Sequence, residues 1–292
     1  MKTCFHGLRE AAFGTALLVI AALAVPIAPA IADNVTLFNF NSTNGGEQGW
    51  VASATGTVTQ PWDWNLQSSN KGGGWQAFLE TNSANSGSYL TSPCLVIDSN
   101  KTNVQIDISH RFNFPVSGTN TPNALGQVQF RADTTGSGTA WGPWRGIPTQ
   151  YFSGTAPPAN YPPNYGPAGQ SLFSPLITSA TTSSGTEDVQ AWSGTTLGFV
   201  TGNHQPSAFK LDFSTFGLAN GYELQLRFLM ATSVDDAVTK TLNWEVNSVQ
   251  IKGATLCVVP EPGTLALAAT GLLAGLGSYS RRRFFCRQSQ PS

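Results

Sequence analysis

Seven runs between residues 34 and 253 alternate apolar and polar side chains, and this alternation constrains the fold most strongly. In the run VQIDI, the side chains of Val104, Ile106 and Ile108 share one face of a strand. Gln105 and Asp107 then point to the opposite face. Clusters of Gly, Asn, Ser and Pro separate the runs and are typical of turns. Because no amphipathic helix of useful length accompanies them, the runs predict two antiparallel sheets packed as a β-sandwich.

The N-terminal segment, residues 1–32, is predicted to be a secretory signal peptide and not part of this sandwich. It has a weakly basic start, a short apolar run and small residues where cleavage occurs. Ala30 and Ala32 fit the A-x-A rule, so cleavage is expected before Asp33. A retained anchor is the alternative, although the apolar run is short for a membrane span.

Residues 33–258 are predicted to form one ectodomain, since single β-sandwiches commonly reach this size. From residue 33 to residue 259, nine Lys and Arg stand against fourteen Asp and Glu, a net charge of −5. The absence of a basic stripe argues against nucleic acid as a partner. Residues 151–188 are rich in Pro, Gly, Ser and Thr. They are expected to form a long insertion at the rim of the sandwich, with disorder as the alternative.

The ectodomain contains two cysteines, Cys94 and Cys257. Export would place them in an oxidising compartment, where such a pair favours one disulfide between an early strand and the end of the last strand. Two buried free thiols are the alternative.

The sequence contains none of the common catalytic motifs, such as H-E-x-x-H, G-x-S-x-G or a phosphate-binding glycine loop. His110 lies in a strand run and is expected to form hydrogen bonds within the sheet, whereas His204 lies in a turn and is expected to be exposed. Glu223 and Glu245 each stand alone in their strands, so no carboxylate pair suits glycoside hydrolysis. We therefore predict no enzymatic activity, no cofactor and no metal site.

Two pairs of tryptophans, in PWDWN and WGPWRG, are the candidates for ligand contact. Flat aromatic rings on a β-scaffold suit the apolar C–H faces of sugars, and neighbouring polar groups can fix their orientation. The alternative is that these rings close the ends of the core. The candidate glycan-binding residues are Trp62, Asp63, Trp64, Trp141, Trp144 and Arg145.

The order of three phrases resembles that of MAM-type jelly-roll modules: FNFNSTNGGEQGW, then SGSYLTSPCLVIDSNKTNVQIDISHRFNF, then YELQLRFLMATSVDD with LNWEVNSVQIKG. The resemblance implies a jelly-roll, concanavalin-like sandwich used for recognition or adhesion. Some related sandwiches hold calcium between acidic residues of the first and last strands. Here Asn41 and Asn247 stand in the comparable places, and Asp235 and Asp236 are expected to be solvated, so calcium is not expected.

Residues 259–283 closely resemble the PEP-CTERM sorting signal of exopolysaccharide-producing Gram-negative bacteria. A proline motif, an apolar run and an arginine cluster carry the resemblance, through Pro260, Glu261, Pro262, Arg281, Arg282 and Arg283. The resemblance implies processing by an exosortase, after a transmembrane helix has held the chain in the inner membrane. The arginines, and residues 284–292 after them, would stay in the cytoplasm. A plain C-terminal anchor is the alternative.

These features together predict an exported protein of the cell surface or extracellular matrix, with a non-catalytic module that interacts with polysaccharide, as in a biofilm. A self-assembling structural surface protein that acts through residues 151–188 is the alternative, and a secreted glycan hydrolase is the third hypothesis.

Overall fold

The computed structural model describes most of the predicted ectodomain, in eleven ranges: 35–40, 46–56, 62–65, 74–79, 86–98, 100–114, 124–157, 176–177, 179–196, 203–232 and 241–257. The signal peptide with its cleavage site, the sorting segment 259–283 and the tail lie outside these ranges, as do residues 158–175 of the insertion. None of the helices in the described part of the chain combines the length and the apolar character that a membrane crossing requires.

The larger sheet, sheet A, is antiparallel and contains eight of the described strands in the order β10-β14-β7-β16-β4-β3. The shorter strands β1 and β13 pair with β16 and β7 respectively. The bounds are β1 (Val35–Asn39), β3 (Asp63–Asn65), β4 (Gly74–Leu79), β7 (Asn103–Phe114), β10 (Phe152–Gly154), β13 (Gly194–Thr195), β14 (Gln205–Asp212) and β16 (Thr241–Lys252).

The second sheet, sheet B, is also antiparallel and has seven described strands. Its central strand, β15, pairs with β5 and β6 on one side and with β8 on the other. The bounds are β2 (Val51–Thr55), β5 (Ser86–Thr91), β6 (Leu95–Ile97), β8 (Ala124–Asp133), β9 (Arg145–Gly146), β15 (Glu223–Thr232) and β17 (Ala254–Leu256).

Three small elements complete the described structure. A hairpin is formed by β11 (Ser179–Thr182) and β12 (Gly185–Asp188), and a 3₁₀ helix, η1, spans Thr149–Tyr151. The short helix α1 (Phe213–Phe216) begins after Asp212, whose carboxylate accepts a hydrogen bond from the backbone N–H of Thr215. It ends at Gly217, whose φ of 64° is a left-handed conformation that glycine adopts without strain.

Eight of the strands reproduce the topology of a jelly roll. Sheet A holds them in the order β4-β16-β7-β14, and sheet B holds β5-β15-β8-β9. In chain order, every connection within this set except β8–β9 crosses from one sheet to the other. Two four-stranded sheets wound in this way form a jelly roll. The prediction of an all-β antiparallel jelly-roll sandwich is therefore confirmed.

The hydrophobic core lies between the two sheets and follows from the period-two pattern. In β7 the residues Val104, Ile106 and Ile108 point inward and are buried, while Gln105 and Asp107 remain partly exposed on the outer face. Large aromatic side chains fill the middle of the core, among them Trp50, Trp192, Trp244 and Phe228. Close packing makes such residues costly to truncate, by about 3–5 kcal/mol for Phe or Trp to Ala.

Cys94 and Cys257 are joined by a disulfide in the structure, with their Cα atoms 5.3 Å apart. Cys94 lies between β5 and β6, and Cys257 directly follows β17. The backbone N–H of Cys257 also donates a hydrogen bond of 3.0 Å to the carbonyl of Cys94. The last strand is therefore fastened to sheet B by three residue pairs and by one covalent bond.

Candidate functional site

The outer face of sheet B, which points away from the core, carries two arginines among uncharged amides. Gln225 and Arg227 of β15 alternate with inward-facing leucines, and Gln129 and Arg131 of β8 alternate with Phe130 in the same way. The register pairs Arg227 with Gln129 and Gln225 with Arg131. Residues displaced by two positions across an antiparallel pair are diagonal neighbours, so the two arginines lie side by side.

The two guanidinium groups alternate with three aromatic rings. The Arg227 guanidinium carbon lies 4.2 Å from the ring centre of Trp144 and 4.6 Å from that of Tyr89. The Arg131 guanidinium carbon lies 4.6 Å from Trp144 and 4.9 Å from Trp141. We call these five residues the arginine–aromatic ladder. Each cation–π contact contributes about 0.5–2 kcal/mol, so the rings restrict the positions of both cations.

The Nε atom of each ladder arginine donates a hydrogen bond to a glutamine side chain. Arg131 donates from Nε and Nη2 to the Oε1 atom of Gln225, at 2.9 and 2.6 Å. Arg227 donates from Nε to Oε1 of Gln129. These acceptors are neutral, so they orient the cations without neutralising them.

No carboxylate among the described residues forms an ion pair with either arginine of the ladder. The pKa of Arg227 is lowered to about 10, chiefly by burial; the Tyr89 hydroxyl opposes this shift and the charge of Arg131 adds to it. Burial also lowers the pKa of Arg131. Both groups stay protonated at neutral pH, and the ladder is a partly buried patch of positive charge.

The loop between β8 and β9 positions the two tryptophans of the ladder. Asp133, the last residue of β8, is buried, and its carboxylate accepts hydrogen bonds from Thr135, Ser137, Thr139 and Ala140 of the loop. These bonds, the Thr135 hydroxyl first, hold the pKa of Asp133 well below its usual range. The loop then returns to β8, where Trp141 forms an antiparallel β-bridge with Asp133. The indole N–H of Trp141 donates a hydrogen bond of 3.0 Å to the carbonyl of Gly138.

Part of this outer face is covered by residues of the insertion and of the segment after it. A second apolar cluster joins Leu125 and Leu229 of the sheet to Leu176 and Ala191, with Tyr89 packed against it. The Gln127 side chain also forms two hydrogen bonds with the backbone of residue 177, at 2.9 and 3.1 Å. The ladder therefore lies beside a part of sheet B that another segment of the chain covers.

The structure separates the two tryptophan pairs that the sequence grouped together. Trp62 is 2 % exposed, and its indole N–H donates to the carbonyl of Ser88 inside the core. The prediction that Trp62 contacts a ligand is therefore wrong, because its ring packs 5.2 Å from Trp244 between the sheets. Trp64 of β3 is half-buried against the core, and Asp63 is exposed on sheet A.

Arg145 has a structural environment and is not part of the ladder. Its guanidinium donates hydrogen bonds to the backbone carbonyls of Phe216 and Thr181. It also lies 5.1 Å from the ring centre of Phe130, at the edge of the core. These contacts connect β9 to α1 and β11. The Arg145 guanidinium, which was a candidate for glycan contact, is therefore already hydrogen-bonded within the protein.

A buried charged cluster on the outer face of sheet A was not anticipated from the sequence. Glu245 is fully buried. Its Oε2 accepts a hydrogen bond of 2.7 Å from Arg111, and its Oε1 lies 2.7 Å from Nε2 of His204. The expectation that His204 is exposed is wrong, since its side chain is 10 % exposed. The partners of Glu245 are 134 and 41 residues away in the chain, too far for any local pattern to link them.

His110 forms hydrogen bonds inside the sandwich, as its strand position indicated. Its Nδ1 accepts from the indole N–H of Trp244 at 3.1 Å, and its Nε2 lies 2.7 Å from the Ser207 hydroxyl. Because that hydroxyl donates to the carbonyl of Thr155, His110 donates from Nε2 and is neutral. Burial lowers its pKa to about 3, and the charge of His204 adds to this shift.

Asn247 is one of the residues that the predicted resemblance to MAM-type modules places where a calcium site would lie. Its backbone carbonyl accepts from the N–H of Phe40 at 3.0 Å, and its side-chain oxygen is buried without a hydrogen-bond partner. One neutral oxygen is a weak donor set for calcium, which favours charged ligands. The other residues considered for such a site lie outside the described ranges: Asn41, Asp235 and Asp236.

Residues 258–283 match the family model of the PEP-CTERM protein-sorting motif. The predicted sorting signal is thus confirmed, and it marks the chain as an exported protein sorted by an exosortase to the cell surface. The match covers a small part of the 292 residues and does not include the sandwich. No curated protein matches the chain. The resemblance of the sandwich to MAM-type modules stays a prediction.

Proposed function

We propose that the sandwich is a non-catalytic module that binds polysaccharide at the cell surface or in the extracellular matrix. The observation that carries this proposal is the arginine–aromatic ladder, where half-buried rings stand among guanidinium and amide groups. Aromatic rings contact the apolar faces of sugars, and polar neighbours choose among their hydroxyl groups. Strands β5, β8 and β15 hold the ladder on a rigid sheet, which lowers the entropy lost on binding.

The position of the chain in the cell supports this proposal. Its sorting motif resembles that of exopolysaccharide-producing bacteria, so polysaccharide is expected at the surface to which the protein is sorted.

The state of the buried titratable groups supports a role without catalysis. Both carboxylate oxygens of Glu245 are engaged by Arg111 and His204, and both ring nitrogens of His110 are engaged. A general base needs a free lone pair within reach of its substrate.

Affinity electrophoresis of the purified protein in gels that contain polysaccharide tests the proposal. Trp141→Ala and Trp144→Ala should weaken retardation about tenfold each, if each ring contributes about 1.4 kcal/mol. Trp64→Ala is the matched control, because it removes a half-buried tryptophan from the other sheet. Free migration of the wild type in every gel, or retardation unchanged by the ladder substitutions, would contradict the proposal.

Self-association is the second candidate function, and one feature of sheet A favours it. Val35 and Leu37 of β1 are 45 % and 57 % exposed. Among the described strands β1 pairs only with β16, so its other edge is open. An open edge with exposed apolar side chains favours pairing with another chain. Light scattering should then show oligomers that Leu37→Lys disperses; a monomeric wild type would exclude this candidate.

A further inference from the structure

We infer that the polysaccharide bound at the arginine–aromatic ladder is acidic, and that Arg131 and Arg227 hold its carboxylate groups. Uronic acid residues and pyruvate-substituted sugars are the chemical classes that present such carboxylates. The inference rests on the proposed function of this face and adds the chemistry of the ligand.

The charge of the ladder is the first argument. Arg131 and Arg227 are diagonal neighbours and partly buried, and their like charges oppose each other. Cations removed from water are normally compensated by an anion. The buried Arg111 follows this rule, since it pairs with Glu245, whereas Arg145 donates to two backbone carbonyls instead. In the described structure neither cation of the ladder forms an ion pair, although Glu223 and Asp133 lie on the same face. Both guanidinium groups are therefore left to pair with an anionic ligand.

The donors left on each guanidinium are the second argument. A guanidinium has five N–H groups. Arg227 uses its Nε, so its two Nη atoms have no hydrogen-bond partner among the described residues. Arg131 uses Nε and Nη2 on one acceptor, Gln225, which leaves Nη1 without such a partner. Planar forks of this kind match the two oxygens of a carboxylate.

The surroundings of the two arginines are the third argument. Trp144 contacts both cations, and the glutamines fix their Nε sides, so the donor groups are held before a ligand arrives. Glu223, which lies on the same face of β15, forms no ion pair with either arginine. The binding groups are thus preorganised, and no carboxylate of the described chain occupies them.

The net charge of the ectodomain does not prevent this binding. Nine basic against fourteen acidic residues give −5 between residues 33 and 259, which repels an acidic polymer at long range. Such repulsion is screened beyond about 8–10 Å at physiological salt, whereas contact pairs in a partly buried site are screened much less. Recognition therefore depends on short-range pairing at the ladder.

Affinity electrophoresis of the whole purified protein tests the inference with matched polymers. The probes are polygalacturonate, alginate, and the same two polymers after chemical reduction of their carboxyl groups to alcohols. The wild type should bind at least one acidic polymer about tenfold or more tightly than its reduced form. Arg131→Gln and Arg227→Gln should each weaken binding of the acidic polymer about tenfold to hundredfold and leave binding of the reduced form unchanged.

Two further variants separate the effect of the ladder arginines from a general loss of positive charge and from misfolding. Lys210→Gln removes the same charge from an exposed position on sheet A and should leave binding unchanged. Arg227→Lys keeps the charge but removes the planar fork, so it should bind the acidic polymer more weakly than the wild type even if Arg227→Gln does not fold.

The failure of this inference differs from the failure of the proposed function. Equal binding of acidic and reduced polymers, with loss in Trp144→Ala but not in Arg227→Gln, would overturn the acidic ligand and leave a glycan-binding module. Free migration through all four gels and through gels of neutral glycans would overturn both.

Discussion

Removal of the disulfide between Cys94 and Cys257 should lower the free energy of unfolding substantially. The bond closes a loop of 163 residues that contains strands β6 to β17. A cross-link of this span removes chain entropy from the unfolded state that amounts to about 5 kcal/mol at room temperature. Measured losses for native disulfides run from about 2 to about 5 kcal/mol, so we expect the double variant to fall in that range.

The substitution is best made to alanine at both positions. The carboxylate of Glu223 has an oxygen within 4.8 Å of both sulfur atoms, and its Oε2 is buried without a hydrogen-bond partner. A serine at either position would offer that oxygen a donor and hide part of the loss. Urea unfolding of Cys94→Ala/Cys257→Ala, of the wild type and of the reduced wild type gives the three free energies needed.

A second variant in the same strand serves as the matched control. Leu256→Ala trims an exposed side chain, 47 % accessible, from the same short strand and should change stability by less than about 0.5 kcal/mol. A loss below about 1 kcal/mol in the double variant would show that the bond does not constrain the unfolded chain as the entropy model requires. Two free thiols in the denatured, unreduced protein would show that the bond is not formed.

Two further predictions concern pH. Because the pKa of Asp133 is depressed, its contribution to stability is present above about pH 4 and is lost as the pH falls below that; the Tm difference between wild type and Asp133→Asn should therefore shrink on acidification, and a constant difference would contradict this. Burial lowers the pKa of His110 to about 3, below its unfolded value near 6.5, so the wild type should lose stability as the pH falls between these values. His110→Gln should show a shallower pH dependence in urea unfolding, and parallel curves would refute the neutral assignment.

The strands and the sorting signal were accessible from the sequence because their signals are local. Side chains in a strand alternate with a period of two, so the inward residues of β7 could be read directly from VQIDI. The Pro-Glu-Pro motif, apolar run and arginines lie within one contiguous segment, residues 258–283. Trp141 and Trp144 could also be singled out, since both stand in one turn-like phrase.

Only the tertiary structure determines which residues come together in the candidate site. Trp62 and Trp144 occur in similar turn phrases, yet one packs between the sheets and the other contacts two cations on an outer face. Arg131 and Arg227 meet Trp144, and Arg227 also meets Tyr89, because β5, β15 and β8 are neighbours in one sheet. Which strands pair, and which face of a sheet is covered, depends on contacts between distant parts of the chain. The alternation within one strand carries no information about those contacts.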